Sequence, residues 1–396
     1  MRFASAISAL PIAKDAVSEI LSAADHRMTP GMADLAMLFI TAHFEDDLEG
    51  VVERIGSHFP GAVMIGCTAE GTIGFDREIE RAPSMALLVG SMPGVTIRPF
   101  HLRQAALQNT DALADWERIV GVLPESKPTF VALADPFRIA VPTFMEQMNK
   151  WYPGAAVVGG MASAAHQPEQ NRLILNGQIH REGIVGLSLT GNLIVQTVVS
   201  QGCRPIGKPF IITKGERNIV FQLGGKEPLK QLQTVISALT PDDDALARQS
   251  LFMGRVIDER KETFGRGDFL IHNILGFDRR SGAISMAGQA RVGATVQFHV
   301  RDAASADEDL RSMLIPHRES NVRGAMLFGC NGRGTHMWPQ PCHDIGVLRE
   351  VLGNIPTAGF FCGGEFGPIG EKNFIHGFTA SIALLKPRDE DEDSDA

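Results

Sequence analysis

A ten-residue pattern recurs 93 positions apart in this chain, and that internal repeat restricts the fold more than any other feature. His58-Phe59-Pro60-Gly61-Ala62-Val63-Met64-Ile65-Gly66-Cys67 resembles Trp151-Tyr152-Pro153-Gly154-Ala155-Ala156-Val157-Val158-Gly159-Gly160. Upstream of each copy lies a strand-like run, Met37 to Ala42 in the first and Thr129 to Ala134 in the second. Between run and copy the apolar residues keep helical spacing: Leu48, Val51, Val52 and Ile55, then Phe144, Met145, Met148 and Trp151. Each unit therefore reads strand, helix, Pro-Gly turn, strand. A helix crossing between two strands implies a parallel pair.

Two further strand-like runs follow each unit. Ser84 to Val89 and Val95 to Phe100 are joined by Ser91-Met92-Pro93-Gly94, and Ile184 to Leu189 and Leu193 to Val199 by Thr190-Gly191-Asn192. Gly and Asn at such joints predict hairpins. A looser third copy comprises a strand at Ala325 to Phe328, a helix over Asp344 to Leu352, a strand ending in Cys362-Gly363-Gly364-Glu365, and a strand at Phe378 to Leu385. The expected fold class is α/β: two domains built from duplicated strand-helix-strand units followed by β-hairpins, in mixed sheets. Domains are expected at 1–215 and 216–387, with an acidic tail at 388–396. The polar stretch 241–266 reads either as a mobile insertion or as a surface helix such as Asp244 to Met253.

Charge and composition exclude several function classes. Net charge is -9, but Asp389 to Asp395 alone holds six acidic residues, so the rest of the chain carries about -3. Such a block reads as a solvated tail. No basic stripe is present and aromatic residues are only 7%, which argues against nucleic-acid binding. No apolar run approaches the roughly 18 residues of a membrane helix, and Pro11, Lys14 and Asp15 interrupt any leader-like start. Five cysteines, an odd number without close pairing, suit a reducing, cytoplasmic compartment.

Chemistry can reside at the strand ends. Gly66-Cys67, Gly159-Gly160 and Gly363-Gly364 serve either tight turns or the close approach of a ligand to the backbone. In parallel α/β layouts ligands bind beyond the carboxyl ends of strands. Gly329-Cys330-Asn331-Gly332-Arg333-Gly334 lacks the order of a dinucleotide fingerprint. Arg333 offers a planar fork that matches a carboxylate, unless it is a solvated turn residue. Arg204 can bind an anion or brace a carboxylate such as Glu365. Glu365, among glycines and Phe360, Phe361 and Phe366, needs a donor or a cation. Cys67, Cys330 and Cys362 fall at strand ends, but no nucleophile signature accompanies them, and Cys330, Cys342-His343 and Cys362 lack zinc spacing.

Four segments together resemble the FIST family: Val63-Met64-Ile65-Gly66-Cys67-Thr68-Ala69-Glu70-Gly71, Gly202-Cys203-Arg204-Pro205-Ile206-Gly207, Cys330-Asn331-Gly332-Arg333-Gly334, and Gly359 to Pro368 with its continuation Asn373 to Thr379. The resemblance runs from about residue 3 to residue 386. It implies an intracellular sensory module for small ligands, with amino acids or their derivatives as the class, acting through a signalling partner in trans. A protein-interaction adaptor using the tail or 241–266 is the alternative, and a cysteine-dependent enzyme a third reading. No cofactor or metal is expected. The expected ligand-binding residues are Cys67, Arg204, Cys330, Asn331, Arg333, Cys362, Gly364 and Glu365.

Overall fold

A computed structural model describes residues 1–388. The chain forms two compact units. Among the described residues, one comprises Met1–Val199, Leu310–Ile375 and Thr379–Arg388; the other comprises Ser200–Asp309 and His376–Phe378.

The first unit is built from three six-stranded mixed sheets of one design. Each contains one parallel pair made by a strand-helix-strand repeat. Leu35–Thr41 pairs with Val63–Ala69, Thr129–Ala134 with Val157–Met161, and Gly324–Cys330 with Thr357–Cys362. The crossing helices are Leu48–His58, Val141–Trp151 and His343–Leu352. Leu48, Val51, Val52 and Ile55 are all buried, as their spacing predicts. Phe144, Met145 and Met148 are buried too.

The repeat extends to atomic detail. Gly66 faces Leu38, Gly159 faces Ala132 and Gly359 faces Leu327 across the parallel pairs. A Cβ at these glycines would lie 2.1, 2.0 and 1.6 Å from the facing carbonyl oxygen. The third equivalent of Gly66 and Gly159 is thus Gly359, four residues before the expected Gly363.

The predicted hairpins are corrected. Met85–Ser91 pairs with Arg2–Ser8 and Leu35–Thr41, whereas Val95–Leu102 pairs with Ile184–Gly191 in the second sheet. Likewise Ile194–Gln201 joins Thr379–Lys386 in the third sheet rather than Ile184–Gly191. The glycine joints carry the chain between sheets instead of turning it back. The hairpins that do follow each parallel pair are shorter and are exchanged. Gly71–Ile73 with Glu78–Glu80 follows the first repeat and joins the third sheet. Leu173–Leu175 with Gln178–His180 follows the second and joins the first sheet. Glu365–Ile369 with Lys372–His376 follows the third and joins the second sheet. The three repeats interlock in a ring.

The inner faces of the three sheets share one apolar core, with Phe39 and Ile65 from the first, Leu133 and Val158 from the second, and Phe328 and Phe360 from the third. Phe39 stacks on Phe360 at 5.0 Å between ring centres. The outer faces are covered by helices, in three separate apolar clusters.

The second unit lies in the chain mainly between the second and third repeats, with His376–Phe378 added from the third. It contains a closed six-stranded barrel, in order Cys203–Glu216, Ile219–Leu223, Ile284–Met286, Phe269–Phe277, Leu251–Val256 and Thr295–Arg301. Its interior is filled by side chains such as Ile212, Val220, Met253 and Phe298. The stretch 241–266 resolves into a helix at Pro241–Gln249, capped by the Thr240 hydroxyl, and the barrel strand Leu251–Val256. Most of the predicted acidic tail, residues 389–396, lies outside the described residues.

Candidate functional site

The carboxyl ends of the three parallel pairs meet in the first unit. Ser163, just past Val157–Met161, donates its hydroxyl to the Phe361 carbonyl at 2.5 Å and accepts the Glu70 N–H at 3.0 Å. One serine thus ties together chain ends from all three repeats. Against these chain ends lie two spaces that share Glu70 and form the candidate cleft. An outer bay of about 420 Å³ is lined by Thr41, His43, Glu70 and Arg81 among alanines. A narrow inner recess of about 10 Å³, water-sized, is lined by Glu70, Gly71, Glu80, Asn331 and Phe361. Glu70 borders both.

Two of the lining segments, the exchanged hairpin and the loop after Cys330, bind each other. Arg81 follows the exchanged hairpin with φ of +54°, a left-handed conformation that is costly for a residue with a Cβ. It lies against His336. Glu80 accepts the Thr335 N–H at 2.9 Å and the Thr335 hydroxyl at 3.0 Å, so hairpin and the 331–342 loop are fastened together. Asn331 is held by its N–H to the Cys362 carbonyl at 3.0 Å, and its Oδ1 is buried without a hydrogen-bond partner.

Beneath the cleft lies a fully buried charged cluster. The Arg333 guanidinium forks onto Asp344, Nε to Oδ2 at 2.6 Å and Nη2 to Oδ1 at 2.7 Å. Glu78 accepts the Ile345 N–H at 2.8 Å and so caps the helix His343–Leu352. Burial and then the Asp344 charge push the Glu78 carboxyl up to about 8. Burial also works to raise Asp344, but the Arg333 charge and hydrogen bonds outweigh it and hold that carboxyl down at about 2. Glu365 accepts the Thr379 hydroxyl at 2.8 Å and its N–H at 3.2 Å, with Cys330 beside it; burial pushes its carboxyl up to about 8.

Of the residues expected to touch a ligand, only Asn331 lines the cleft. Arg333, expected to hold a ligand carboxylate, is wholly buried and holds Asp344 instead. Glu365 is buried and lines neither space: Thr379 holds its Oε2, and its Oε1 is a buried oxygen without a hydrogen-bond partner. Arg204 belongs to the other unit, where it braces carboxylates, as one of its two readings had it: Asp302 at 2.7 Å and Asp243, not Glu365. The Gly364 carbonyl accepts the Met161 N–H at 2.9 Å, joining two repeats. Cys67 and Cys362 are buried, and burial pushes both thiols well up, away from the thiolate a nucleophile needs. Cys330 stands beside Glu365 and opposite Cys362 in the parallel pair.

Sequence reasoning missed His43, Glu80 and Arg81. The one available signal was Glu70-Gly71, which closes the first quoted motif and lies at the neck of the cleft.

Glu365 also makes a pH prediction. Its folded proton affinity lies above the ordinary carboxylate range near 4.3. The stability it contributes is full below that range and lost as pH rises through about 8. Each such proton tilts stability by up to ~1.4 kcal/mol per pH unit. Glu365→Gln, which keeps an acceptor for Thr379, should lose ~1–3 kcal/mol less than the parent between pH 5 and pH 8 in urea unfolding. Equal losses in both proteins would remove the assignment.

The chain belongs to the FIST family: the FIST N domain matches residues 34–226 and the FIST C domain residues 228–368. Domains of this family are in general sensory domains for small ligands. Among similar proteins are the uncharacterized protein Rv0628c of Mycobacterium tuberculosis, 36% identical over 97% of this chain and 100% of its own length, and the uncharacterized protein Mb0898c of Mycobacterium bovis, 36% identical over 97% and 99%. A crystal structure of a cyanuric acid hydrolase from A. caulinodans aligns over 98% of this chain and 100% of its own at 10% identity, with a TM-score of 0.31, a likeness too slight to carry an argument. No helix among the described residues is long and apolar enough to cross a membrane.

Proposed function

We propose that this protein is a cytoplasmic sensory module that binds a small polar ligand, an amino acid or a related metabolite, in the cleft at Ser163, and signals through a partner protein. The supporting observation is the cleft's position and charge. It lies where the carboxyl ends of three parallel pairs converge, the place parallel α/β sheets offer to ligands. It presents Arg81 and Glu70, one charge of each sign, at the outer bay. A zwitterion needs both. Arg81 replaces the expected Arg333 as the carboxylate partner, because its guanidinium is exposed.

A thermal-shift screen against amino acids, nucleotides and organic acids tests the reading. Ligand at a hundred times its dissociation constant adds about 2.7 kcal/mol to the native state. For a ligand so found, Arg81→Ala should weaken binding by about tenfold or more, the scale of a lost charged hydrogen bond. Unchanged affinity in Arg81→Ala would place the ligand elsewhere.

A further inference from the structure

The barrel of the second unit holds an inward-pointing charge that no side chain pairs with. Arg255 follows Met253 by two residues on one strand and stands opposite Val296 on the next, and both of those belong to the barrel core. Its other neighbour is Leu270. His272 stands opposite Met253 and two residues from Leu270, so Arg255 and His272 are diagonal neighbours on the inner face. A strap, residues 287–294, crosses this end of the barrel. It is pinned by the Ala287 N–H to the Asn273 carbonyl at 2.8 Å, the Ala290 N–H to the Arg217 carbonyl at 2.7 Å and the Gly293 N–H to the Ile212 carbonyl at 2.9 Å. The strap brings the Arg291 charge to bear on Arg255.

Arg255 is half-buried, and among the described residues its guanidinium makes no hydrogen bond or ion pair. Glu259, the acid whose charge reaches it, accepts the Thr295 N–H at 2.7 Å on one oxygen and the Thr295 hydroxyl at 2.6 Å on the other. His272 Nε2 is buried without a partner, and a Cβ at Gly288 of the strap would lie 2.8 Å from the ring. Charges in protein interiors are ordinarily paired. Barrel mouths are also common ligand sites. We infer that this end of the barrel binds phosphate, as the inorganic ion or a monoester. The assignment holds whether or not the cleft of the first unit takes a ligand.

The Arg255 fork suits two oxygens of an oxyanion, and Arg291 adds a second charge. His272 selects among oxyanions. The Ala287 backbone hydrogen-bonds the ring, and with Nε2 unpartnered that bond falls on Nδ1. Burial, then the Arg255 charge, keep the ring neutral, so Nε2 is an acceptor that needs an O–H. A protonated phosphate supplies both kinds of group: oxygens that accept from arginine and one O–H for the imidazole. Its proton dissociates near pH ~6, so phosphate and histidine can share it. Sulfate and carboxylates carry no proton at neutral pH and would have to charge the ring beside Arg255.

Calorimetric titration of the full chain in phosphate-free buffer at neutral pH tests this with inorganic phosphate, glycerol 3-phosphate, sulfate and acetate. One of the two phosphates should bind about tenfold or more tighter than sulfate or acetate, and the tighter of the two names the source. Arg255→Met, similar in length, should abolish that binding. Without ligand it should melt no lower than the parent, since it removes an unpaired inward charge. Arg291→Met, at an exposed position, should keep the fold and weaken phosphate by about tenfold. His272→Leu should erase the preference over sulfate. Sulfate binding the parent as tightly as phosphate would overturn the phosphate assignment. Silence from every probe at millimolar concentration, or phosphate binding that Arg291→Met and Arg255→Met leave unchanged, would overturn the site itself.

Discussion

Gly359→Ala should destabilise the first unit by about 3–5 kcal/mol, at the upper end of single-substitution effects. The added methyl carbon would lie 1.6 Å from the Leu327 carbonyl oxygen and 2.6 Å from its carbon. Neither atom belongs to a side chain that can swing away, so the parallel pair itself must part. The pair sits in the shared core beside Phe328 and Phe360, where displacement also breaks packing. Gly66→Ala should behave alike, since its facing oxygen is 2.1 Å away. Gly50→Ala is the informative control. Nothing lies within 4 Å of its Cβ position, and it stands in the helix Leu48–His58, so alanine there should stabilise by about 0.5–1 kcal/mol. Urea unfolding of the three variants measures the contrast. A Gly359→Ala protein within about 1 kcal/mol of the parent would mean that the strands do not approach as closely as the repeat requires.

Arg333→Ala should cost a similar 3–5 kcal/mol, for an electrostatic reason. The guanidinium is fully buried, and its removal takes two hydrogen bonds and the cation from the Asp344 carboxylate, which keeps the His343 Nδ1 contact at 3.0 Å. Glu78 is pushed up partly by that same carboxylate, so it offers no compensation. The double variant Arg333→Met with Asp344→Leu removes both charges and should be more stable than Arg333→Ala alone. That ordering separates an ion pair from a packing site: if the double variant loses as much as the two single losses added, the pair's charge is not the cause.

The repeats were legible in the sequence because their signals are local. Apolar spacing in 48–58 and 141–151 needs no knowledge of what the helices pack against. Sheet membership was not legible. The joint Ser91-Met92-Pro93-Gly94 has the same composition whether the chain turns back or crosses to another sheet, and only the distant partners Arg2–Ser8 and Ile184–Gly191 decide. The exchange of short hairpins around the ring is fixed by pairings such as Gly359 with Ile73, which no local pattern announces.

The site followed the same division. Arg333 and Glu365 drew notice as charges amid glycines. Their partners are distant: Asp344, which in sequence reads as an ordinary first-turn helix acid, and Thr379. Charged residues are fully buried almost only when paired, and the sequence did not display the pairing. Nothing local marks Glu80 and Arg81, because the strand Glu78–Glu80 is three residues long and unpatterned. They reach the cleft only because the hairpin that carries them crosses into the third sheet.

The central claim is that one cleft, at the meeting of three strand ends, receives the ligand. Amide hydrogen exchange, measured with and without a ligand found by thermal shift, tests it most directly. Protection is expected in 41–43, 69–71, 79–81, 163–164 and 331, the segments that line the bay and recess. Protection confined to the barrel around Arg204, Asp243 and Asp302, with those five segments unchanged, would contradict it.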